Sequence, residues 1–291
     1  MGMSISRGRH FPHMPKGSGP RAASSWNYRK GESVMRTNHV KEKLKQGEPA
    51  LGAWLSIPSV PSARIMARLG FDWLVVDMEH TAHNPVLMAD MVATIADAGT
   101  CAPMVRLPAH GVEWFKWALD AGVWGIIAPM VNTGEEAQRV VEYAKYPPRG
   151  TRSIGGAFGP YGFGITDWPE YAGTANDEII VAVQIESAQA LQNLDDIISV
   201  PGIDVAFVGP NDLHAQLGLT PSTEGAEPEF VDALERIKAA ALEHHVALGI
   251  FSGDGEAASE RVRQGFQMIS VTTDIRSMIA EVTRNLRIAR G

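Results

Sequence analysis

The sequence predicts an α/β protein folded as a (β/α)8 TIM barrel, and three observations predict it. Eight short apolar runs recur between residues 51 and 271, each followed by a polar loop and an amphipathic stretch that often closes on glycine. The runs are continuously apolar instead of alternating, as strands covered on both faces of a parallel sheet are. The first run leads into Ser56-Ile57-Pro58-Ser59, with none of the G-x-G-x-x-G turn that opens a dinucleotide-binding sheet. Eight strand–helix units in about 240 residues suit a closed barrel better than an open doubly wound sheet.

In chain order, strand one is expected over 51–57 and strand two over 73–76, with Gly70 closing the helix between them. Asn84-Pro85 pairs an N-cap with proline at the first helical position, and Gly99 ends that helix before strand three at 102–107. Gly122 precedes strand four at 125–128. Thr133, with Glu136 three residues on, is a capping box that opens the helix running toward Tyr146. Strands five to eight fall at 179–185, 205–208, 247–251 and 268–271, with Gly265 closing the helix before the last. Two segments break the pattern. Residues 146–171 carry Pro147-Pro148 and five glycines from Gly155 to Gly164, and such a long loop at a barrel mouth reads as a lid or an oligomer contact ahead of a phosphate cradle. Residues 275–290 set Ile275, Met278, Ile279, Val282 and Leu286 on one helical face, which must cover its own barrel or a neighbour's.

A chain of 291 residues accommodates one such domain, expected over 36–291. The net charge of −7 argues against nucleic acid or an anionic membrane as partner. No apolar run approaches the roughly 18 residues of a membrane span. The single cysteine, Cys101, forms no intrachain disulfide, so a reducing, cytoplasmic setting is expected. Residues 1–35 have no acid before Glu32 and read as a disordered basic tail. A mitochondrial transit peptide over 1–31 is an open alternative, beside a cloning remnant or a start codon placed ahead of Met35.

Active sites of this fold lie at the C-terminal strand ends. Those positions hold Asp77-Met78-Glu79-His80 after strand two, Arg106 after strand three, Gln184 and Glu186 on one face of strand five, and Asn211 and Asp212 after strand six. Glu186 and Asp212 suit Mg²⁺ or Mn²⁺, which takes few protein carboxylates, and the competing reading makes both helix N-caps. No His or Cys cluster accompanies them, which disfavours zinc. Arg106 can stabilise an oxyanion or pair with Asp77 or Glu79. His80 is a candidate general base with Asp77 as its orienting partner. His83 and His110 read as surface residues, and Trp54, Trp114 and Trp117 as packing. No lysine stands at a strand end, so a Schiff base is disfavoured.

Trp54-Leu55, Asp77-Met78-Glu79-His80, Val105-Arg106, Pro129-Met130-Val131, Tyr146-Pro147-Pro148-Arg149-Gly150-Thr151-Arg152, Val183-Gln184-Ile185-Glu186 and Val208-Gly209-Pro210-Asn211-Asp212-Leu213 follow one another in this order. In these motifs the chain, over about residues 40–290, resembles the pyruvate-dependent class II branch of the HpcH/HpaI aldolase family. The resemblance implies reversible cleavage of a 4-hydroxy-2-oxo acid to pyruvate and an aldehyde. It implies a divalent cation (Mg²⁺ or Mn²⁺, with Co²⁺ an alternative) on Glu186 and Asp212. Gln184, Asn211, Asp212 and Trp54 would bind substrate, and His80, Arg106 and Asp77 would carry the chemistry. A homohexamer with the C-terminal helix swapped between subunits is also implied. The loop 155–162 departs from the bacterial sugar-acid aldolases and has features of macrophomate synthase, so an oxaloacetate-decarboxylating, enolate-transferring enzyme stays open as the alternative. A catalytically silent barrel would have lost one of the carboxylates, Arg106 or His80, and all are present.

Overall fold

Parallel pairing closes on itself. In the computed structural model, which describes residues 34–291, β1 (Ala50–Leu55), β2 (Trp73–Asp77), β3 (Ala102–Arg106), β4 (Gly125–Ala128), β5 (Ile180–Ile185), β6 (Val205–Val208), β7 (Ala247–Phe251) and β8 (Met268–Thr273) pair in chain order, and β8 returns to β1. Every neighbouring pair is parallel. α1 (His39–Lys45) precedes β1, and α2 (Val60–Met66), α3 (Pro85–Ala96), α4 (Val112–Asp120) and α5 (Gly134–Ala144) follow the first four strands. α6 (Gly159–Gly162) and α7 (Trp168–Glu178) precede β5, with α8 (Ala188–Gln192) and α9 (Leu194–Ile198) after it. α10 (Pro210–Gln216) and α11 (Pro228–Glu243) follow β6, α12 (Gly255–Arg263) follows β7, and α13 (Asp274–Arg290) ends the chain. The expected caps form: Asn84 accepts from Leu87 N (3.0 Å), Thr133 from Glu136 N (3.2 Å), and Gly70, Gly99, Gly122 and Gly265 all take positive φ.

Two interior glycines make room for the large side chains that fill the barrel. A Cβ at Gly52 would overlap the Trp73 ring, and one at Gly249 would overlap Phe207. Above them, Trp54 meets Phe207 and Phe251 edge-on, with centroids 6.0 and 5.8 Å apart, and forms the floor of the mouth.

The opposite end is closed by α1, a helix the apolar pattern did not announce. Asn38 caps it and donates through Nδ2 to Trp124 O (3.0 Å) and Glu178 O (2.8 Å). Lys41 donates to Ile179 O (3.0 Å) and pairs with Asp204 (2.9 Å), so its buried charge is compensated. Met35 is buried, and its N–H donates to Glu170 (2.9 Å). Met35, placed in the expected tail, is therefore anchored to the barrel. Residues 1–33 of that tail lie outside the described residues.

The glycine-rich segment corrects another expectation. α5 runs from the mouth back to the strand beginnings, so the chain from α5 to α7 lies at the base. Trp124, one residue before β4, donates to Gly162 O (2.8 Å) and stacks on Phe163 at 5.2 Å. Arg152 sits over the Tyr146 ring (4.3 Å) and bonds Asp120 (3.1 Å). A segment anchored there is no lid over its own mouth. Ile154, Phe158 and Tyr161 remain exposed on it.

α13 leaves the barrel from a fixed root. The Asp274 carboxylate accepts from Ser56 N (2.8 Å), Ile57 N (3.2 Å), Ser62 Oγ (3.0 Å) and Ile275 N (2.7 Å). Asp274 is the only buried residue of this helix. Ile275, Met278, Ile279, Val282 and Leu286 are all exposed, so the apolar face does not cover its own barrel. Among the described residues, no helix is long and apolar enough to cross a membrane.

Candidate active site

A cavity of about 180 Å³ opens at the C-terminal strand ends. It is lined by Trp54, Asp77, His80, Arg106, Gln184, Glu186, Asn211 and Asp212, which brings together every residue the sequence nominated.

Strand register makes the first pair. Asp77 and Arg106 are direct neighbours at the ends of β2 and β3. Arg106 Nε donates to Asp77 Oδ1 (2.8 Å) and Nη2 to Oδ2 (2.7 Å), a bidentate pair, while Nη1 lies 3.0 Å from Glu79 Oε2. The guanidinium also lies 4.4 Å from the Trp54 ring centroid. Burial works against the charge, but the Asp77 hydrogen bond and the charges of Asp77, Glu79 and Glu186 outweigh it and hold the pKa above its ordinary value. Arg106 is a permanent, immobilised cation.

β5 supplies the second group. Alternation turns Gln184 and Glu186 to the cavity and sends Val183 and Ile185 into the packing around it. Glu186 Oε1 accepts from Met130 N (2.7 Å) and Oε2 from Gln184 Nε2 (2.6 Å). Met130 presents that N–H from a left-handed conformation (φ 48°), which costs on the order of 1 kcal/mol for a residue with a side chain. Gly209 is required opposite, since a Cβ there would overlap Glu186 Oε2. Desolvation pushes the Glu186 pKa up to about 8; the Met130 hydrogen bond opposes it, and Glu79 and Asp212 add to it. Glu79 is raised too, by burial first, with Arg106 opposing.

These oxygens fit a hard divalent cation. The charges of Glu79 and Asp212 raise Glu186, and that of Asp212 raises Glu79, with the Arg106 charge opposing in both. A cation at Glu186 and Asp212 would relieve that repulsion. No grouping of three or more His, Cys, Asp or Glu suited to a metal occurs among the described residues; a Mg²⁺ or Mn²⁺ held on two carboxylates would take its other ligands from water and substrate. The N-cap reading fails for both carboxylates: Ser187 caps α8, Gly209 stands at the cap of α10, and Asp212 lies in the first turn. Two residues lining the cavity each carry a buried polar atom without a partner, Trp54 Nε1 and Gln184 Oε1. Such atoms mark where a ligand can bond.

His80 stands at the rim, its side chain 62% exposed, with Nε2 3.7 Å from Glu79 Oε2. The orienting role expected of Asp77 is corrected. Its carboxylate is committed to Arg106 and meets His80 only through the backbone N–H, at 3.5 Å. Glu79 is the acid beside the imidazole. His83, expected at the surface, is buried and bonds through Nδ1 to Asp77 O (2.7 Å), which pins the loop after β2. Trp117, expected in packing, is exposed. The sequence reading offered Glu79 only as a possible ion-pair partner of Arg106, not as the acid beside His80, and left Met130 without a role. Glu79 was visible within Asp77-Met78-Glu79-His80, whereas nothing in a methionine signals a left-handed backbone.

The family model described as HpcH/HpaI aldolase/citrate lyase matches residues 51–280. A hydroxypyruvate/pyruvate aldolase of Rhizorhabdus wittichii is 35% identical over 254 residues, covering 87% of this chain and 99% of the relative. A solved HpcH/HpaI aldolase/citrate lyase family protein of Burkholderia cenocepacia superposes with a TM-score of 0.81 at 34% identity, over 88% of this chain and 100% of the other. Macrophomate synthase superposes with a TM-score of 0.79 at 25% identity, over 92% and 97% of the two chains. The chain belongs to the HpcH/HpaI aldolase/citrate lyase family and is, like its named aldolase relative, an enzyme of the carbon–carbon lyase class.

Proposed function

We propose that the protein is a divalent-cation-dependent aldolase that reversibly cleaves a 4-hydroxy-2-oxo acid to an aldehyde and pyruvate, or hydroxypyruvate as in the name of its relative. The observation that carries this reading is Arg106, fixed by Asp77, Glu79 and Trp54 beside the buried carboxylate of Glu186. Breaking the C3–C4 bond leaves an electron pair that is stable only when delocalised onto the C2 oxygen. Arg106 supplies a preorganised positive charge for that oxygen. A cation at Glu186 and Asp212 would act as a Lewis acid on the same oxygen. His80, through a water, takes the C4 hydroxyl proton as the aldehyde leaves and returns a proton to C3. Gln184 and the first-turn N–H groups of Asn211 and Asp212, free of any side-chain cap, face the donor carboxylate. Among the described residues no lysine lines the cavity, which disfavours a Schiff base.

The test is pyruvate release, coupled to lactate dehydrogenase, from a panel of 4-hydroxy-2-oxo acids and from oxaloacetate. Release from the hydroxy-oxo acids that EDTA abolishes supports the aldolase. Release from oxaloacetate alone would replace it with the decarboxylating, enolate-transferring alternative, which the likeness to macrophomate synthase favours as second reading.

Metal uptake should depend on pH with a defined sign. In the metal-free fold Glu186 keeps its proton to about pH 8, whereas the unfolded chain releases it near 4.5. Between those values the folded state binds the extra proton, so this position's contribution to stability falls as pH rises. A cation displaces the proton, and its binding tightens toward about pH 8. The rise in melting temperature with Mn²⁺ is therefore expected to be larger at about pH 8 than at about pH 6. An equal rise at both would remove Glu186 as a ligand.

The exposed apolar face of α13 supports a homo-oligomer, a hexamer on the family resemblance, with this helix on a neighbouring subunit. Placing aspartate at both Val282 and Leu286 is expected to lower the sedimentation coefficient to that of a monomer. An unchanged coefficient would reject the helix as the contact.

A further inference from the structure

Charge is unevenly distributed around the mouth. Glu79 after β2, Arg106 on β3, Glu186 after β5 and Asp212 after β6 interact across the mouth. From there the cavity continues to Ser56 after β1, Phe251 at the end of β7 and Thr273 at the end of β8. Thr273 caps α13 and accepts from Arg276 N (3.0 Å), which sets Arg276 one helical turn above the cavity wall. Arg276 Nη1 donates to Gly253 O (2.9 Å), two residues past Phe251, so the guanidinium is tethered over the loop between β7 and α12. The Cβ position that Gly253 lacks lies 2.9 Å from Thr223 Oγ1 and 3.2 Å from Arg276 Nη1, so a hydroxyl and a guanidinium flank that glycine.

Arg276 has no carboxylate within 4.0 Å among the described residues. The nearest acid in sequence, Asp274, is committed to Ser56, Ile57, Ser62 and Ile275. Loops after the seventh and eighth strands of this fold frequently build anion sites.

We propose that Arg276 determines acceptor specificity by binding an anionic group, a carboxylate or a phosphate, at the far end of the aldehyde. This rests on the aldolase reading, which supplies the donor's place at Arg106 and Glu186. An acceptor lying between that donor and the rim points its distal end toward β7 and β8. Ser56, Phe251 and Thr273 put no charge along that path, and Arg276 offers a positive one at its end.

The experiment compares kcat/KM for addition of pyruvate, with Mn²⁺, to succinic semialdehyde against butanal and to glyceraldehyde 3-phosphate against glyceraldehyde. Expected is a preference for at least one anionic member of about 10- to 100-fold, the size of one charge-assisted hydrogen-bonded contact. The pair that shows it tells carboxylate from phosphate. Arg276→Met should collapse that ratio at least tenfold, and Arg276→Lys should restore part of it. No preference in the wild-type protein, or an equal loss on charged and neutral acceptors in Arg276→Met, overturns the proposal. Exchange of pyruvate C3 hydrogens with deuterium, followed by NMR without acceptor, separates the two readings. Exchange without a charge preference sinks the acceptor role alone, and absence of both exchange and addition sinks the aldolase and the acceptor role together.

Discussion

Arg106→Ala is expected to lower turnover about 10²- to 10³-fold, as loss of one preorganised oxyanion-stabilising group does. The same change leaves Asp77 buried without its bidentate partner, and stranding a buried charge costs about 3–5 kcal/mol. The two losses separate on measurement. Turnover is referred to the fraction folded by thermal melting, and Arg106→Lys provides the comparison. Lysine keeps a positive charge for Asp77 but lacks the fork that reaches Asp77 and Glu79 together. Arg106→Lys should regain most of the stability and little of the turnover. Near wild-type turnover in folded Arg106→Ala would end the role assigned to this residue.

Glu186→Gln is expected to act in opposite directions on activity and on metal-free stability. The amide keeps the shape, can still accept from Met130 N, and meets a Gln184 whose Oε1 lacks a partner. It cannot become an anion. Pyruvate release should fall by at least about 10³-fold, since both a cation ligand and its charge are lost. At about pH 8 and above, the metal-free variant should melt higher than the wild-type protein, because a desolvated carboxylate has been replaced by a neutral group. Its melting temperature should no longer respond to Mn²⁺. A variant that keeps its Mn²⁺ response would show that the cation sits elsewhere.

Most of the barrel was legible because strands buried on both faces must be continuously apolar, and the glycines after α2, α3, α4 and α12 fall where positive φ is required. The site was legible for a related reason. Gln184, Glu186, Arg106 and Asp77 interrupt greasy strands at their ends, where polarity without a ligand is costly. Other features depend on geometry that composition does not carry. The sequence placed Asp77 beside both His80 and Arg106, and only side-chain direction decides for Arg106. α1 hid because His39–Lys45 holds only Val40 and Leu44 as apolar residues, and its anchors are Asn38 and Lys41. The lid reading of segment 146–171 came from its glycines and length, although connectivity places any passage from a helix to the next strand at the barrel base.

Asp274 ties α13 to Ser56 and Ile57 at the lip of the cavity, while the rest of that helix offers its apolar side outward. One rigid rod thus has its foot in one subunit's mouth and, on the assembly proposed above, its shaft on another's surface. Neighbours pulling on the shaft would shift Thr273 and Arg276 before they reached Glu186 or Arg106. On that assembly and the acceptor role proposed for Arg276, protein concentration would become a variable of substrate choice, and dilution would blur the selection of the aldehyde while the bond-breaking step still ran.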